Sequence, residues 1–185
     1  MKKLFAALIL SVLPVAGFAA GAAVHLDKVD IDLTDKAAMQ DGARTFANYC
    51  MGCHSAQYQR YERVADDLGI PHEIMLDNLV FNDAKIGDHM KIGMKPEDAK
   101  VWFGAAPPDL TLVARVRGND WLYSYMRAFY VDPARPYGYN NEVFPNVGMP
   151  HVLAPLQGNR VVGCAQVQVV EDGRKQFDPL TGTPI

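Results

Sequence analysis

Hydrophobic residues are distributed unevenly along this chain of 185 residues, and the most apolar stretch comes first. A short basic start, Met1-Lys2-Lys3, precedes a mostly apolar run over 4–18, and small residues follow over 19–23. Such a run is short for a membrane span and ends in small residues rather than in a charge, which favours a secretory signal peptide over an uncleaved anchor. We therefore predict a signal peptide over 1–20 and one folded domain over 21–185.

Within the predicted domain, the segments that show a helical period are short. Gly42, Phe46 and Cys50 recur every four residues and so share one face of a helix, for which Asp41 is the expected N-cap. Gly42 would let the backbone of a second helix approach closely, with Phe46 beside it. A second helical period runs over 121–130.

Turn-forming residues interrupt the rest of the chain. The 12 prolines and 15 glycines predict many turns, and several of them make 132–146 a long irregular segment. Residues 161–170 are β-branched and partly alternating, and 171–174 supply a turn, which predicts a small hairpin. The pattern as a whole predicts a mainly α fold of short helices and long loops, with one small β-hairpin.

Charge narrows the classes of partner. The net charge is −3, from 18 basic and 21 acidic residues, so the chain lacks the basic excess that nucleic-acid binding needs. Acidic residues cluster over 66–98. Such a surface favours a basic protein partner, although a solvated acidic face explains the same pattern.

One motif carries the chemistry. Cys50 and Cys53 enclose two residues and His54 follows directly, which is the Cys-x-x-Cys-His signature of covalent c-type haem. Each thiol can add across one haem vinyl group, and the imidazole then lies beneath the iron as the proximal ligand. A thioredoxin-like redox pair, half of a zinc site and a plain disulfide are the alternatives. The first two are disfavoured because neither a strand–helix unit nor a second closely spaced ligand pair is apparent. The predicted cofactor is one covalent haem c.

A six-coordinate electron carrier needs a second axial ligand, and a methionine thioether raises the reduction potential relative to histidine. Met149 is our candidate because it follows Gly148 in a loop without helical period that Pro145 and Pro150 stiffen. His151 is the main alternative and would give a bis-histidine haem of lower potential. The other methionines and histidines lack a comparable context.

The segment 102–111 offers support for His54. Pro107 and Pro108 fix an extended backbone whose carbonyls can accept a hydrogen bond from the outer N–H of the imidazole, and the same residues also suit a turn before the next helix. Arg115 and Arg117 follow, where guanidinium groups would meet either haem propionates or solvent.

Several ordered motifs together resemble cytochrome c1 of the bacterial branch, the haem subunit of the quinol–cytochrome c oxidoreductase known as the cytochrome bc1 complex. The resemblance covers the predicted mature chain through about Gly158. The motifs are Gly42 to Tyr61, Trp102-Phe103-Gly104, Pro107-Pro108-Asp109-Leu110, Arg115-Val116-Arg117-Gly118, Trp121-Leu122-Tyr123, and Phe144 to Leu153.

The resemblance implies a c-type cytochrome fold around a single haem and an electron relay that performs no bond chemistry of its own. It implies the Rieske iron-sulfur protein as electron donor, a soluble cytochrome c as acceptor and cytochrome b in the same complex, at the periplasmic face of a bacterial inner membrane. The implied site residues are the thioether-forming Cys50 and Cys53, the axial ligands His54 and Met149, the propionate contact Arg117, and Pro107 or Pro108, whose carbonyl supports His54.

The end of the chain departs from the resemblance. Cytochromes c1 finish with a helix that packs on the haem-motif helix and a single membrane anchor, and 178–185 has neither pattern. We therefore expect a truncated part of a longer protein that reaches the membrane through that anchor or through its complex, with an anchorless variant as the alternative. Cys164 is expected to be a small buried residue. The alternative functions are a free periplasmic monohaem carrier and a haem enzyme or gas sensor with an open distal site.

Overall fold

The computed structural model of the protein describes residues 24–161, residue 163 and the strand residues 170–171 and 174–175. Within these residues the chain is mainly helical, as predicted, but it forms three two-stranded antiparallel pairs rather than one. The helices are α1 Lys36–Thr45, α2 Tyr61–Leu68, α3 His72–Leu79, α4 Pro96–Phe103, α5 Val113–Arg117, α6 Asn119–Arg127 and α7 Ala154–Gln157, and a π-helical turn covers Phe46–Cys50. The strands are β1 Ala56–Arg60, β2 His89–Met90, β3 Phe129–Val131, β4 Tyr139–Asn141, β5 Val170–Glu171 and β6 Arg174–Lys175.

Helix α1 starts six residues before the position that the sequence predicts. The carboxylate of Asp35 accepts a hydrogen bond from the backbone N–H of Ala38 at 3.0 Å, which makes Asp35 the N-cap. The predicted cap, Asp41, is wrong: it lies inside α1 and pairs with Arg44 on the surface. The first turn of α1 is exposed, so it carries no apolar period from which its start could be predicted.

The main apolar core lies between the end of α1, the strand pair β1–β2, and helices α2 and α3. Tyr61 and Ala65 lie one turn apart on α2 and are almost completely buried, with Met75 and Leu79 of α3 in the same cluster. Met90 of β2 completes the cluster. Burying a side chain of this size stabilises a fold by about 1.5 to 3 kcal/mol, so this core fixes the direction in which α1 delivers the cysteine motif.

The face of α1 that carries Gly42 has no second helix against it within residues 24–161. A Cβ at Gly42 would have no atom within 4 Å. Phe46, one turn later, packs against the edge of the main core instead.

Helix α6 ends earlier than its period predicts, at Arg127. Strand β3 begins at Phe129 and pairs with β4 in the register Phe129 to Asn141 and Val131 to Tyr139. The predicted helical period over 121–130 is therefore wrong at its end, and the segment 132–146 is not irregular throughout, because β4 lies within it. Aromatic and β-branched residues fit a pleated strand as well as a helix, so the period alone could not separate the two.

The described ends of the chain are held differently. The N-terminal segment is tied to α6, since the Asp27 N–H donates to the Ser124 hydroxyl at 2.8 Å and the Val29 N–H donates to Asp120 at 3.0 Å. At the predicted C-terminal hairpin the described residues form the pair β5–β6, with Glu171 and Arg174 in the strands rather than in the turn. The rest of the predicted hairpin lies outside the described residues. The predicted signal peptide, Cys164 and the tail over 178–185 lie outside the described residues. No helix in the described part of the chain is both long and apolar enough to cross a membrane.

The start of α1 gives a direct test of the fold. Replacing Asp35 with alanine removes the acceptor for the Ala38 N–H, and we expect the free energy of unfolding to fall by about 1 kcal/mol. Asp41→Ala is the matched control, because it removes only an exposed pair with Arg44, and we expect little change. Urea unfolding of both variants measures the difference, and a larger loss for Asp41→Ala would contradict the assigned start.

Candidate functional site

The cysteine motif begins at the end of the π-helical turn. The Met51 N–H donates to the Phe46 carbonyl at 3.1 Å, five residues back, which widens the helix at this point. The chain then forms a tight turn, in which the N–H groups of Cys53 and His54 both donate to the Cys50 carbonyl, at 3.1 and 2.9 Å. This turn holds the two cysteines and the histidine as one compact group.

Both cysteines are free and half-buried. Burial, with a smaller contribution from the charge of Cys53, raises the pKa of Cys50, so this thiol is protonated at neutral pH. A redox-active pair needs the opposite, a thiolate of lowered pKa, which argues against the thioredoxin-like alternative. Within the described ranges, no three or more His, Cys, Asp or Glu side chains lie close enough to hold a metal ion.

His54 is buried and held in one orientation. Its Nδ1 lies 2.7 Å from the Pro108 carbonyl oxygen. A carbonyl oxygen only accepts hydrogen bonds, so Nδ1 must donate this one, and Nε2 is the ring nitrogen left to face a metal. Of the two prolines predicted to support His54, the structure assigns this bond to Pro108, whereas Pro107 lines a cavity of about 230 Å³ beside Cys53.

Backbone pairing places Pro108 beneath the imidazole. The Leu110 N–H donates to the Ser55 carbonyl at 2.8 Å, and the Gln57 N–H donates to the Asp109 carboxylate at 2.8 Å. Both bonds involve residues that directly follow His54 and Pro108, and they hold the two segments side by side. Because a proline has no N–H, its carbonyl is the only backbone hydrogen-bonding group that Pro108 brings to the site.

The loop that carries Met149 is anchored by a buried asparagine. Asn141 accepts hydrogen bonds from the N–H groups of Val143 and Phe144, at 2.9 and 3.0 Å, and donates to the Tyr125 carbonyl at 2.8 Å. The loop is therefore tied to α6 where it leaves β4. The sequence analysis missed this role, because it treated 132–146 only as a long irregular segment.

The same loop is fixed again just before Met149. Asn146 has a φ of 62°, a left-handed conformation that asparagine tolerates better than most residues. Its N–H donates to the Asn140 side chain at 2.8 Å, and Arg135 donates to its carbonyl at 2.7 Å. Val147 is then buried, so the chain has little freedom where it reaches Met149.

The sulfur of Met149 accepts a hydrogen bond from the Tyr125 hydroxyl, at 3.3 Å. Burial raises the pKa of Tyr125 to about 12, so the hydroxyl stays protonated at neutral pH. The Tyr125 ring stacks on Trp121 at 4.9 Å, and the Arg117 guanidinium lies 4.7 Å above the same indole. A chain of contacts therefore leads from the predicted propionate contact to the predicted axial ligand. Tyr125 is a site residue that sequence reasoning missed, since its helical period indicated only core packing.

His151, the alternative ligand, is packed among aromatic rings. It is buried and stacks in parallel on Phe129, with centroids 5.0 Å apart, and meets the edge of Tyr139 at 5.4 Å. Burial lowers the pKa of His151, so the ring is neutral at pH 7. Its Nδ1 has no hydrogen-bond partner in the described structure. Of the other histidines, His72 is an exposed partner of Asp66.

The segment that leads to Pro108 and the loop that carries Met149 lie against each other. The Tyr137 hydroxyl donates to the Trp102 carbonyl at 2.8 Å, and a Cβ at Gly148 would lie 3.9 Å from the Phe103 carbonyl oxygen. The segment that leads to Pro108 therefore packs on the loop that holds Met149. Two free thiols, an imidazole oriented through its Nδ1, a thioether and a guanidinium fit a covalently attached haem.

Most of this chain matches a known family model and two curated proteins. The family model described as the Cytochrome C1 family matches residues 28–161. The chain is 53% identical over 160 residues to a cytochrome c1 of Allochromatium vinosum, covering 86% of this chain and 66% of that protein. It is 42% identical over 162 residues to a protein of Nitrosomonas europaea named ammonia monooxygenase gamma subunit, covering 88% of this chain and 68% of that protein. The chain thus spans about two thirds of the length of these curated relatives.

Asp109 makes the support of His54 dependent on pH. Burial acts to raise the pKa of Asp109, but hydrogen bonds from Thr111 and from the Gln57 N–H outweigh it and hold the pKa below the ordinary 3.8. Because the folded-state pKa is the lower one, this carboxylate adds stability above the unfolded-state value and loses it as the pH falls through the folded-state value. Asp109→Asn should therefore lower the free energy of unfolding at pH 7.

The measurement is urea unfolding of the native, haem-loaded protein and the variant between pH 7 and pH 3. We expect the difference in free energy of unfolding between the two proteins to be constant near pH 7 and to narrow as the pH falls below 3.8. Asp83→Asn, at an exposed position, is the control and should track the native protein. A gap that does not change with pH would contradict the role of the Asp109 charge.

Proposed function

The chain belongs to the cytochrome c1 family, and we propose that it is a one-electron carrier holding one covalent haem c through Cys50, Cys53 and His54. The observation that carries the proposal is the oriented imidazole directly after two free thiols, with Nδ1 bonded to the Pro108 carbonyl. When bound, the haem supplies reversible one-electron chemistry at its iron. The protein's own part is to attach, orient and enclose it.

The proposed axial ligands are His54 and Met149. The hydrogen bond to Pro108 holds the imidazole in one tautomer and increases its basicity, which strengthens it as a ligand. Met149 supplies a soft sulfur from a loop that is fixed at both ends, and a thioether favours a higher potential than a second imidazole would. If His54 and Met149 both held the iron, no position would remain for a substrate, and the protein would relay electrons without making or breaking bonds.

Arg117 is the proposed contact of a haem propionate. Its guanidinium is exposed and rests on the Trp121 ring, which leaves its N–H groups free to meet a carboxylate. The Trp121 ring in turn stacks on Tyr125 beside Met149. This arrangement supports placing the propionate edge of the haem next to α5 and α6.

Family membership supports the place of the carrier in a respiratory chain. We propose that it receives electrons from the Rieske iron-sulfur protein and passes them to a soluble cytochrome c, in a quinol–cytochrome c reductase that also contains cytochrome b. The proposed location is the periplasmic face of a bacterial inner membrane. The exposed acidic residues between Asp66 and Asp98 would attract a basic cytochrome at low salt.

Covalent attachment is tested with the cysteines one at a time. Cys50→Ala and Cys53→Ala each remove one proposed thioether, so we expect haem staining on a denaturing gel to weaken in the single variants and to vanish in the double variant. Cys164→Ser is the matched control, because this cysteine lies outside the motif. Mass spectrometry should find one haem on the native chain. Unchanged staining in the double variant would contradict covalent attachment.

Membership of the complex is tested in the native host. We expect the haem-stained band to lie in the membrane fraction and to co-purify with cytochrome b and the Rieske protein. A stained band in the soluble periplasmic fraction that co-purifies with neither protein would instead favour the free periplasmic carrier.

The second axial ligand is tested with Met149→Leu. Loss of the thioether should open one iron position, so we expect the reduced variant to bind carbon monoxide while the native protein does not. His151→Gln is the control and should keep the closed iron, since His151 packs on Phe129. The opposite pattern would make His151 the ligand, and a native protein that binds carbon monoxide would favour the gas-sensor alternative.

A further inference from the structure

We propose that Tyr125 is a positioning residue for the axial ligand, with its hydroxyl donating a hydrogen bond to the Met149 sulfur in the working carrier. This inference rests on the proposed function, because it takes Met149 as an iron ligand. It concerns two properties of the Met149 sulfur: how much electron density it donates to iron, and in which direction its coordinating lone pair points. The role falls to Tyr125 because its hydroxyl lies 3.3 Å from the Met149 sulfur.

The chemistry of a thioether allows both contacts at once. A methionine sulfur has two lone pairs and is a weak hydrogen-bond acceptor. One lone pair can receive the Tyr125 O–H while the other faces a metal. A hydroxyl at this distance therefore selects which lone pair of Met149 is left for coordination.

The hydroxyl is held by the surroundings of the Tyr125 ring and backbone. Trp121 stacks on the ring at 4.9 Å with planes 8° apart, and Phe129 meets it edge-on at 5.2 Å. The Tyr125 carbonyl accepts the side-chain N–H of Asn141 at 2.8 Å, and Asn141 also anchors the loop that carries Met149. Donor and acceptor are thus fixed to the same support, which favours a lasting bond over a chance contact.

The expected consequence is a higher reduction potential. A donor at the sulfur withdraws electron density, which makes Met149 a weaker ligand. Electron donation from sulfur stabilises oxidised iron more than reduced iron, so weaker donation favours the reduced form. A neutral hydrogen bond is worth about a two- to tenfold change in an equilibrium constant. Removing the hydroxyl should therefore shift the redox equilibrium toward the oxidised form by about this factor, a fall of up to about 60 mV in the midpoint potential.

The test is Tyr125→Phe in the full haem-loaded protein, because phenylalanine keeps the stacking ring and loses only the O–H. We expect the midpoint potential to fall and the long-wavelength sulfur-to-iron absorption band of the oxidised protein to shift. Tyr123→Phe is the matched control. It removes a hydroxyl from the same helix that accepts from Arg127 at 2.8 Å and has no bond to Met149, so both readouts should stay at native values.

The outcomes separate this inference from the proposed function. If the native protein has the sulfur-to-iron band and Tyr125→Phe leaves band and potential unchanged, the inference is overturned while Met149 remains a ligand. If the native protein lacks the band, the ligand assignment itself fails. Thermal unfolding of both variants keeps the comparison interpretable: equal melting temperatures with a shifted potential only in Tyr125→Phe support the inference, whereas a shift that Tyr123→Phe reproduces overturns it.

Discussion

The hydrogen bond between His54 Nδ1 and the Pro108 carbonyl connects the two segments on which the candidate site depends. It joins the residue after the cysteines to a stretch some fifty positions later, so a local motif acquires a fixed orientation only through the fold. The pairing of Ser55 with Leu110 and of Gln57 with Asp109 positions the acceptor. An imidazole without this partner could carry its proton on either nitrogen, and only one of the two forms leaves Nε2 free to bind iron.

The loop that carries Met149 is also held in one conformation by hydrogen bonds to other parts of the chain. It contains little regular structure, yet its backbone N–H and carbonyl groups are satisfied by Asn140, Asn141 and Arg135. Buried polar groups that are fully bonded specify one conformation, because any other arrangement would leave them unpaired. A loop constrained in this way holds Met149 in one place, as the proposed ligand of an electron carrier requires.

The sequence revealed those parts of the site whose chemistry lies in neighbouring residues. Cys50, Cys53 and His54 were predictable because covalent attachment and ligation need them adjacent, and the paired prolines because they lack N–H groups. The start of α1 at Lys36 could not be predicted, since an exposed first turn has no apolar period. The roles of Tyr125 and Asn141 could not be predicted either, because their partners are distant in the sequence. Tyr125 bonds to Met149, 24 positions away, and Asn141 bonds to the Tyr125 carbonyl, 16 positions away. Strand β3 was missed because aromatic residues suit helix and strand alike, and β4 was missed because two of its three residues are asparagines, which are depleted in strands.

The central claim, an electron carrier that belongs to a quinol-oxidising complex and reduces a soluble cytochrome, is tested most directly by rapid kinetics in native membranes. Quinol is mixed with membranes from the parent strain and from a strain without the Rieske protein, and the redox state of this chain's haem is followed before and after addition of oxidised soluble cytochrome c. The account predicts fast haem reduction only where the Rieske protein is present, followed by reoxidation as the added cytochrome is reduced. A haem that stays oxidised while the added cytochrome is reduced at the usual rate would contradict it.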